Sequence, residues 1–206
     1  MVYYASVDIS GLTDTECDEM RERIKKHFSY GANLKRKESV AAKALLCRLL
    51  EEKFAITDFI VDCDAKGKPY IADSHIFFNL SHSGNFVMCA VGEGRVGCDI
   101  QRIGSCNIKV AKRFFTDGEF SALEDSSQSD YDFTRLWALK ESALKFSGDG
   151  ISGGLDRYDF SVYYEKDEFT IDGMHFNVYE MPDYVISICS ENAEVTRLYA
   201  DLNDIK

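Results

Sequence analysis

Phe86-Val87-Met88-Cys89-Ala90-Val91-Gly92-Glu93-Gly94-Arg95-Val96-Gly97-Cys98-Asp99-Ile100-Gln101 places two short runs of strand-forming residues on either side of two glycines. Residues 86–91 and 95–101 read as strands, and Gly92-Glu93-Gly94 as the turn of a hairpin joining them. Side chains alternate along a strand, so Val96, Cys98 and Ile100 share one face, and Gly97, Asp99 and Gln101 the other. The apolar face belongs to a core. The other offers a carboxylate and an amide beside a glycine, with room for a bulky polyphosphate to approach and oxygen donors of the kind magnesium takes. An exposed strand aspartate making local hydrogen bonds is the plainer reading of the same residues.

Working outward, Val2 to Val7 reads as a strand, and Thr13 followed by Glu16 as a capping box opening a helix to about His27. Gly31 breaks that pattern. Ala41, Leu45, Leu46, Leu49 and Leu50 recur at helical spacing between Arg36 and Phe54, with Arg36, Lys37, Lys43 and Arg48 giving the helix a basic side. Strands follow at 59–63 and 76–80 around the turn Gly67-Lys68-Pro69. After Gly104 come helices at 108–124 and 131–146, the glycines 148, 150, 153 and 154 that end the second of these, and several strands from Tyr158 to Tyr199. Helices followed by runs of adjacent strands predict an α+β fold of antiparallel sheets with helices on one face. The length suits either one domain or two small ones packed together, and in the second case a cleft between them is the natural ligand site.

Composition bounds the function. The 206 residues are 45% hydrophobic and 29% charged, enough for a sizeable core and too apolar for a disordered chain. No apolar run reaches membrane-span length, and MVYYASVDIS lacks the regions of a signal peptide, so the expected compartment is the cytoplasm. The seven cysteines form no C-x-x-C pair and read as buried free thiols. A net charge of -11 argues against nucleic acid, yet residues 21–68 carry 12 basic and 7 acidic side chains. That basic stretch suits either a solvated helix face or a phosphate-bearing small ligand.

In the helix at 131–146, Leu136, Leu139, Ala143 and Phe146 form the core stripe, while Trp137, Glu141 and Lys145 follow one another at four-residue steps beside it. Glu141 and Lys145 suit a helix ion pair, or a second metal carboxylate one turn from an ammonium that neutralises charge on a phosphate. Ser81 and His82 in Phe77-Phe78-Asn79-Leu80-Ser81-His82-Ser83-Gly84 can donate hydrogen bonds to a phosphate. They also raise a Ser-His hydrolase, although no G-x-S-x-G elbow surrounds them. The glycines after the helix lack the Gly-Lys-Ser/Thr ending of a P-loop.

Taken in order, Gly67-Lys68-Pro69, Phe78-Asn79-Leu80-Ser81-His82-Ser83, Val96-Gly97-Cys98-Asp99-Ile100, Ala111-Lys112-Arg113-Phe114-Phe115 and Trp137-Ala138-Leu139-Lys140-Glu141-Ser142-Ala143-Leu144-Lys145 resemble the surfactin-type 4'-phosphopantetheinyl transferases. The resemblance spans roughly residues 36–155. It implies a monomer of two similar α+β halves, residues 1–103 and 104–206, binding coenzyme A and magnesium in the cleft between them. The implied activity, of the holo-acyl-carrier-protein synthase kind, moves phosphopantetheine to a serine of an acyl or peptidyl carrier protein. It makes Asp99 and Glu141 magnesium ligands and Lys145 the lysine that stabilises the transferred phosphate. Lys68, Ser81, His82 and Lys140 match coenzyme A contacts. Lys43 matches a ligand of the adenosine-side phosphates, Arg36 more loosely, and Glu119 stands where the family carries an acidic residue near the site. Gln101 departs from the pattern, because many members place a glutamate there. A metal site of two carboxylates follows, with Gln101 or water in the third position, and Glu141 as the group that takes the acceptor's proton. Carrier docking is expected near Arg113, Phe114 and Phe115. The rival reading is a noncatalytic coenzyme A or nucleotide-binding module.

Overall fold

The computed structural model describes residues 1–29, 34–150 and 154–206, so Tyr30, Gly31 and Gly153 lie outside the described residues. The chain runs β1 (Val2–Asp8), α1 (Asp14–Ile24), α2 (Lys37–Phe54), β2 (Val61–Cys63), β3 (Pro69–Ile71), β4 (Phe77–Ser83), β5 (Phe86–Gly92) and β6 (Val96–Arg102). It continues through α3 (Ile108–Phe114), α4 (Asp117–Glu124), α5 (Ser129–Ser147), β7 (Glu168–Ile171), β8 (Met174–Met181), β9 (Tyr184–Ser190) and β10 (Val195–Arg197). The fold is α+β, as the order of elements requires. Thr13 and Glu16 form the capping box at the start of α1, and Gly148 closes α5 with a positive φ of 77°.

Two four-stranded sheets organise these elements, in the orders β10-β1-β5-β4 and β6-β9-β8-β7, with β2 and β3 as a separate pair. The expected hairpin between 86–91 and 95–101 does not form. β5 pairs with β1 and β4, whereas β6 pairs along its whole length with β9. The turn at Gly92-Glu93-Gly94 carries the chain from one sheet to the other, because both strands have an apolar face to bury and the sheets bury those faces on each other. Val2, Tyr4, Met88 and Ala90 from the first sheet meet Val96, Cys98, Ile100, Ile186 and Ile188 from the second. Outside this layer, α1 and α2 cover the first sheet through Met20, Leu45, Leu46 and Leu49, and α5 covers the second through Leu136, Leu139 and Ala143. Each large apolar side chain so buried contributes about 1.5–3 kcal/mol.

Two further differences from the expected plan have local causes. The stretch 108–124 is two helices, because Phe115 is extended and Thr116 opens a new capping box with Glu119. The first sheet is mixed rather than antiparallel: β10 returns from the second sheet and pairs parallel with β1, Val195 opposite Val2. The last segment therefore packs against strands from the beginning of the chain.

A polar seam joins the sheets where their edge strands β4 and β6 meet. Asn79, Ser81 and Ser83 alternate along β4 on one face, and each side chain accepts a backbone N–H of β6: Cys98 to Asn79 Oδ1 at 3.0 Å, Ile100 to Ser81 Oγ at 3.4 Å and Arg102 to Ser83 Oγ at 3.0 Å. Otherwise unpaired edge donors are thus satisfied inside the molecule.

Candidate active site

Gly97 decides how close α5 comes to β6. A Cβ there would lie 2.2 Å from the Ser142 carbonyl oxygen and 2.3 Å from the Phe146 amide nitrogen, so only a glycine admits the helix backbone at this distance. The room expected for a polyphosphate beside Gly97 is filled by α5. The consequence is that the Trp137-Glu141-Lys145 lane of α5 is laid over Asp99.

Asp99 is buried, and both its oxygens are engaged. Lys145 Nζ lies 2.6 Å from Oδ1, Ser81 Oγ donates to the same oxygen at 2.7 Å, and Gln101 Nε2 donates to Oδ2 at 2.8 Å. Lys145 Nζ also donates to Ser81 Oγ at 3.0 Å, closing a triangle of serine, aspartate and lysine. Burial works to lower the pKa of Lys145, but the Asp99 carboxylate, Cys98 and Glu141 together outweigh it and the net shift is upward, so the lysine stays charged. Glu141 is shifted upward as well, first by burial and then by the charge of Asp99, with Lys145 offsetting only part.

Two half-buried to fully buried carboxylates thus share a single ammonium, and among the described residues Glu141 has no hydrogen bond or ion pair. A divalent cation with hard oxygen ligands fits this donor set, since its charge would offset both the burial and the Asp99 repulsion that hold Glu141 up. No group of three His, Cys, Asp or Glu side chains gathers anywhere among the described residues. Gln101 occupies the third position and spends an amide N–H on Asp99, which leaves its carbonyl oxygen as the donor available to a metal.

Two cavities flank this centre along α5. One of about 320 Å³ is lined by Lys66, Lys68, Leu80, Glu141, Lys145 and Gly148. The other, of about 270 Å³, is lined by Gln101, Arg102, Val110, Phe133 and Trp137. Four residues of helix advance about 6 Å, so Trp137, Glu141 and Lys145 lead from the second cavity to the first.

The other residues expected in the site divide. Lys68 borders the first cavity, but its ammonium donates to the carbonyls of Lys145 and Phe146 at 2.6 and 3.1 Å, and burial lowers its pKa. It braces the C-terminal turn of α5. Ser81 is buried in the Asp99 triangle, while His82 is exposed on the opposite face of β4. The two cannot act together as a hydrolase pair, because their side chains leave the strand in opposite directions. Lys140 is corrected outright: it is 1% exposed and bonds Glu119 Oε2 at 2.7 Å, the Leu155 carbonyl at 2.7 Å and the Tyr158 carbonyl at 3.1 Å. All three ammonium hydrogens are spent inside the core, leaving none for coenzyme A. Glu119 is its fully buried partner. Lys43 donates to Ser39 Oγ and lies over the Phe28 ring, and Arg36 is exposed at the start of α2; neither contacts Asp99, Glu141 or Lys145 among the described residues. Phe115 is buried and stacked on Phe133, so it cannot join a docking surface, whereas Arg113 stacks over Phe114.

Sequence reasoning passed over two contributors. Asn79 secures the seam next to the site, and the alternation Asn79, Ser81, Ser83 was its signal. Lys66 reaches Asp149 at 2.7 Å, and Asp149 reaches Arg157 at 3.0 Å. No local pattern marked that chain of charges.

Residues 95–189 match the family model of the 4'-phosphopantetheinyl transferase superfamily, a span that contains Asp99, Gln101, Glu119, Lys140, Glu141 and Lys145. The chain is 36% identical over 140 residues to 4'-phosphopantetheinyl transferase Sfp of Bacillus subtilis (strain 168), covering 62% of this chain and 61% of the relative. It is 44% identical over 105 residues to a 4'-phosphopantetheinyl transferase of Bacillus subtilis, covering 49% and 46%. It is 30% identical over 164 residues to the L-aminoadipate-semialdehyde dehydrogenase-phosphopantetheinyl transferase of Xenopus laevis, covering 70% and 53%. The chain thus spans between 46% and 61% of the length of these relatives. The part of the chain that is similar to the 4'-phosphopantetheinyl transferase superfamily is therefore residues 95–189, which carry Asp99, Glu141 and Lys145.

Proposed function

We propose that this protein is a surfactin-type 4'-phosphopantetheinyl transferase that moves phosphopantetheine from coenzyme A to a serine of an acyl or peptidyl carrier protein. The observation that carries the reading is the contact of Lys145 with Asp99 beside Glu141, which has no partner among the described residues, at the border of a cavity with two further lysines. In this reading the coenzyme A diphosphate lies in the cavity of Lys66 and Lys68, and the acceptor approaches from the side of Trp137 and Gln101. In this reading the expected halves, residues 1–103 and 104–206, meet at the seam of β4 and β6 beside the site, except that β6 belongs to the second sheet and β10 to the first.

Asp99 and Glu141, with the carbonyl oxygen of Gln101, would hold magnesium, which when bound neutralises charge on the diphosphate. Lys145 is held charged by Asp99 and supplies its ammonium to the phosphate being transferred. Glu141, its basicity raised by burial and by Asp99, accepts the proton of the acceptor serine. The serine oxygen bonds to the phosphorus that carries pantetheine, and the bond from that phosphorus to the bridging oxygen breaks. The adenosine-bearing phosphate leaves with the electron pair. Fixed charges in place before reaction supply most of the acceleration.

Arg113 and Phe114 remain the proposed docking contacts for the carrier, and the reading includes a monomer acting in the cytoplasm. No helix among the described residues is long and apolar enough to cross a membrane. The test is incubation with coenzyme A, magnesium and several apo carrier proteins, followed by intact-mass measurement. Addition of phosphopantetheine to at least one carrier, lost in Lys145→Ala, is the expected result. No addition to any of them would refute the reading.

A further inference from the structure

Lys140 and Glu119 are 1% and 0% exposed, and their charged atoms lie 2.7 Å apart. Buried pairs of this kind are costly to assemble, since both ions leave water. Here both ions are also hydrogen-bonded to the surrounding backbone. Glu119 Oε2 accepts the Thr116 amide at 2.8 Å, and Oε1 accepts the Phe160 amide at 2.9 Å. Lys140 donates to the carbonyls of Leu155 and Tyr158, and its ammonium sits over the rings of Phe115 and Phe160 at 5.6 and 5.7 Å. One ion pair therefore fastens the start of α4 and the stretch 155–160 onto α5.

That stretch leads back to the donor cavity. Arg157 lies between the two carbonyls that Lys140 holds, and its guanidinium reaches Asp149 at 3.0 Å. Asp149 also binds Lys66 at 2.7 Å, and both Lys66 and the glycines flanking Asp149 line the cavity. The pair itself lines neither cavity and makes no bond to Asp99, Glu141 or Lys145 among the described residues.

We propose that the buried Glu119–Lys140 pair is a positioning device for coenzyme A: it fixes Arg157, and through Asp149 the wall at Gly148 and Gly150, so that it governs donor binding rather than the chemical step. This rests on the transferase reading and deepens it, because it gives a residue expected to touch coenzyme A an indirect role.

The test measures the coenzyme A dissociation constant by calorimetry without any carrier, and kcat at saturating coenzyme A, for Glu119→Gln and Arg157→Ala. Glu119→Gln is expected to weaken coenzyme A binding about tenfold, with kcat changed less than about threefold. Arg157→Ala leaves the buried pair and the fold untouched, and is expected to weaken binding about threefold at unchanged Tm. It decides the matter should Glu119→Gln not fold. Wild-type affinity in Arg157→Ala, or loss of kcat without loss of affinity in Glu119→Gln, would overturn the proposal while leaving the transferase reading intact. A wild-type chain that binds no coenzyme A would sink both.

Discussion

Replacing Gly97 with alanine adds one methyl group where the geometry leaves no place for it. The new Cβ would lie 2.2 Å from the Ser142 oxygen and 2.3 Å from the Phe146 nitrogen, and both are backbone atoms of α5 that cannot rotate away. Restoring ordinary contact, which begins near 3.4 Å, requires the helix to withdraw from β6 by about 1.2 Å. Overpacking of this sort costs about 1–3 kcal/mol. For a chain of this size each kcal/mol is about 2–4 °C, so Gly97→Ala should lower Tm by about 2–12 °C. The same withdrawal pulls Lys145 off Asp99, now at 2.6 Å, and carries Glu141 with it. Misplacement by about 1 Å can cost about 100-fold in rate, so transfer should fall far more than stability alone explains. Thermal unfolding followed by circular dichroism, and carrier loading by intact mass at a temperature where the variant is folded, measure the two effects. A Gly97→Ala protein with wild-type Tm and wild-type loading would refute the claim that this contact sets the site.

Glu141→Gln should abolish transfer and yet raise Tm in metal-free buffer. A carboxylate whose folded pKa lies above its reference value of 4.5 costs stability once it ionises; the variant's advantage is therefore absent below that pH and grows as pH rises through the folded value, and a constant difference across the range would contradict this. Gln101→Glu replaces an N–H donor on Asp99 with a third carboxylate, so it should lower Tm in chelator and increase the stabilisation produced by added magnesium; equal magnesium responses in both proteins would count against Asp99 as a ligand. Ser81→Ala removes the group that accepts from Ile100 and Lys145 and donates to Asp99. It should cost about 1–3 kcal/mol in denaturant unfolding, and an unchanged midpoint would argue that the seam contributes nothing.

Much of this architecture was legible in local patterns. Four-residue spacing placed Trp137, Glu141 and Lys145 in one lane, and strand alternation separated Asp99 from Cys98 and Ile100. Both are properties of a single element and survive folding unchanged. What failed depended on partners distant in sequence. Gly92-Glu93-Gly94 suits a hairpin and a crossing between sheets equally well, and the choice is made by β9, which takes the edge of β6. Gly97 correctly signalled a close approach, but a glycine does not say whether a ligand or a helix fills the space. Lys140 is matched to a coenzyme A contact by the family resemblance. Its fate was set by Glu119 on another helix, and only the fold brings that carboxylate within 2.7 Å.

The central claim is that Asp99 and Glu141 hold a divalent ion against the coenzyme A diphosphate while Lys145 stabilises the group in transfer. Its most direct test is intact-mass measurement of an apo carrier protein incubated with coenzyme A and this protein, with magnesium or with chelator, beside the Asp99→Asn variant. The account predicts phosphopantetheine addition by the wild type with magnesium, and none with chelator or with Asp99→Asn. Loading that proceeds equally in all three would contradict it.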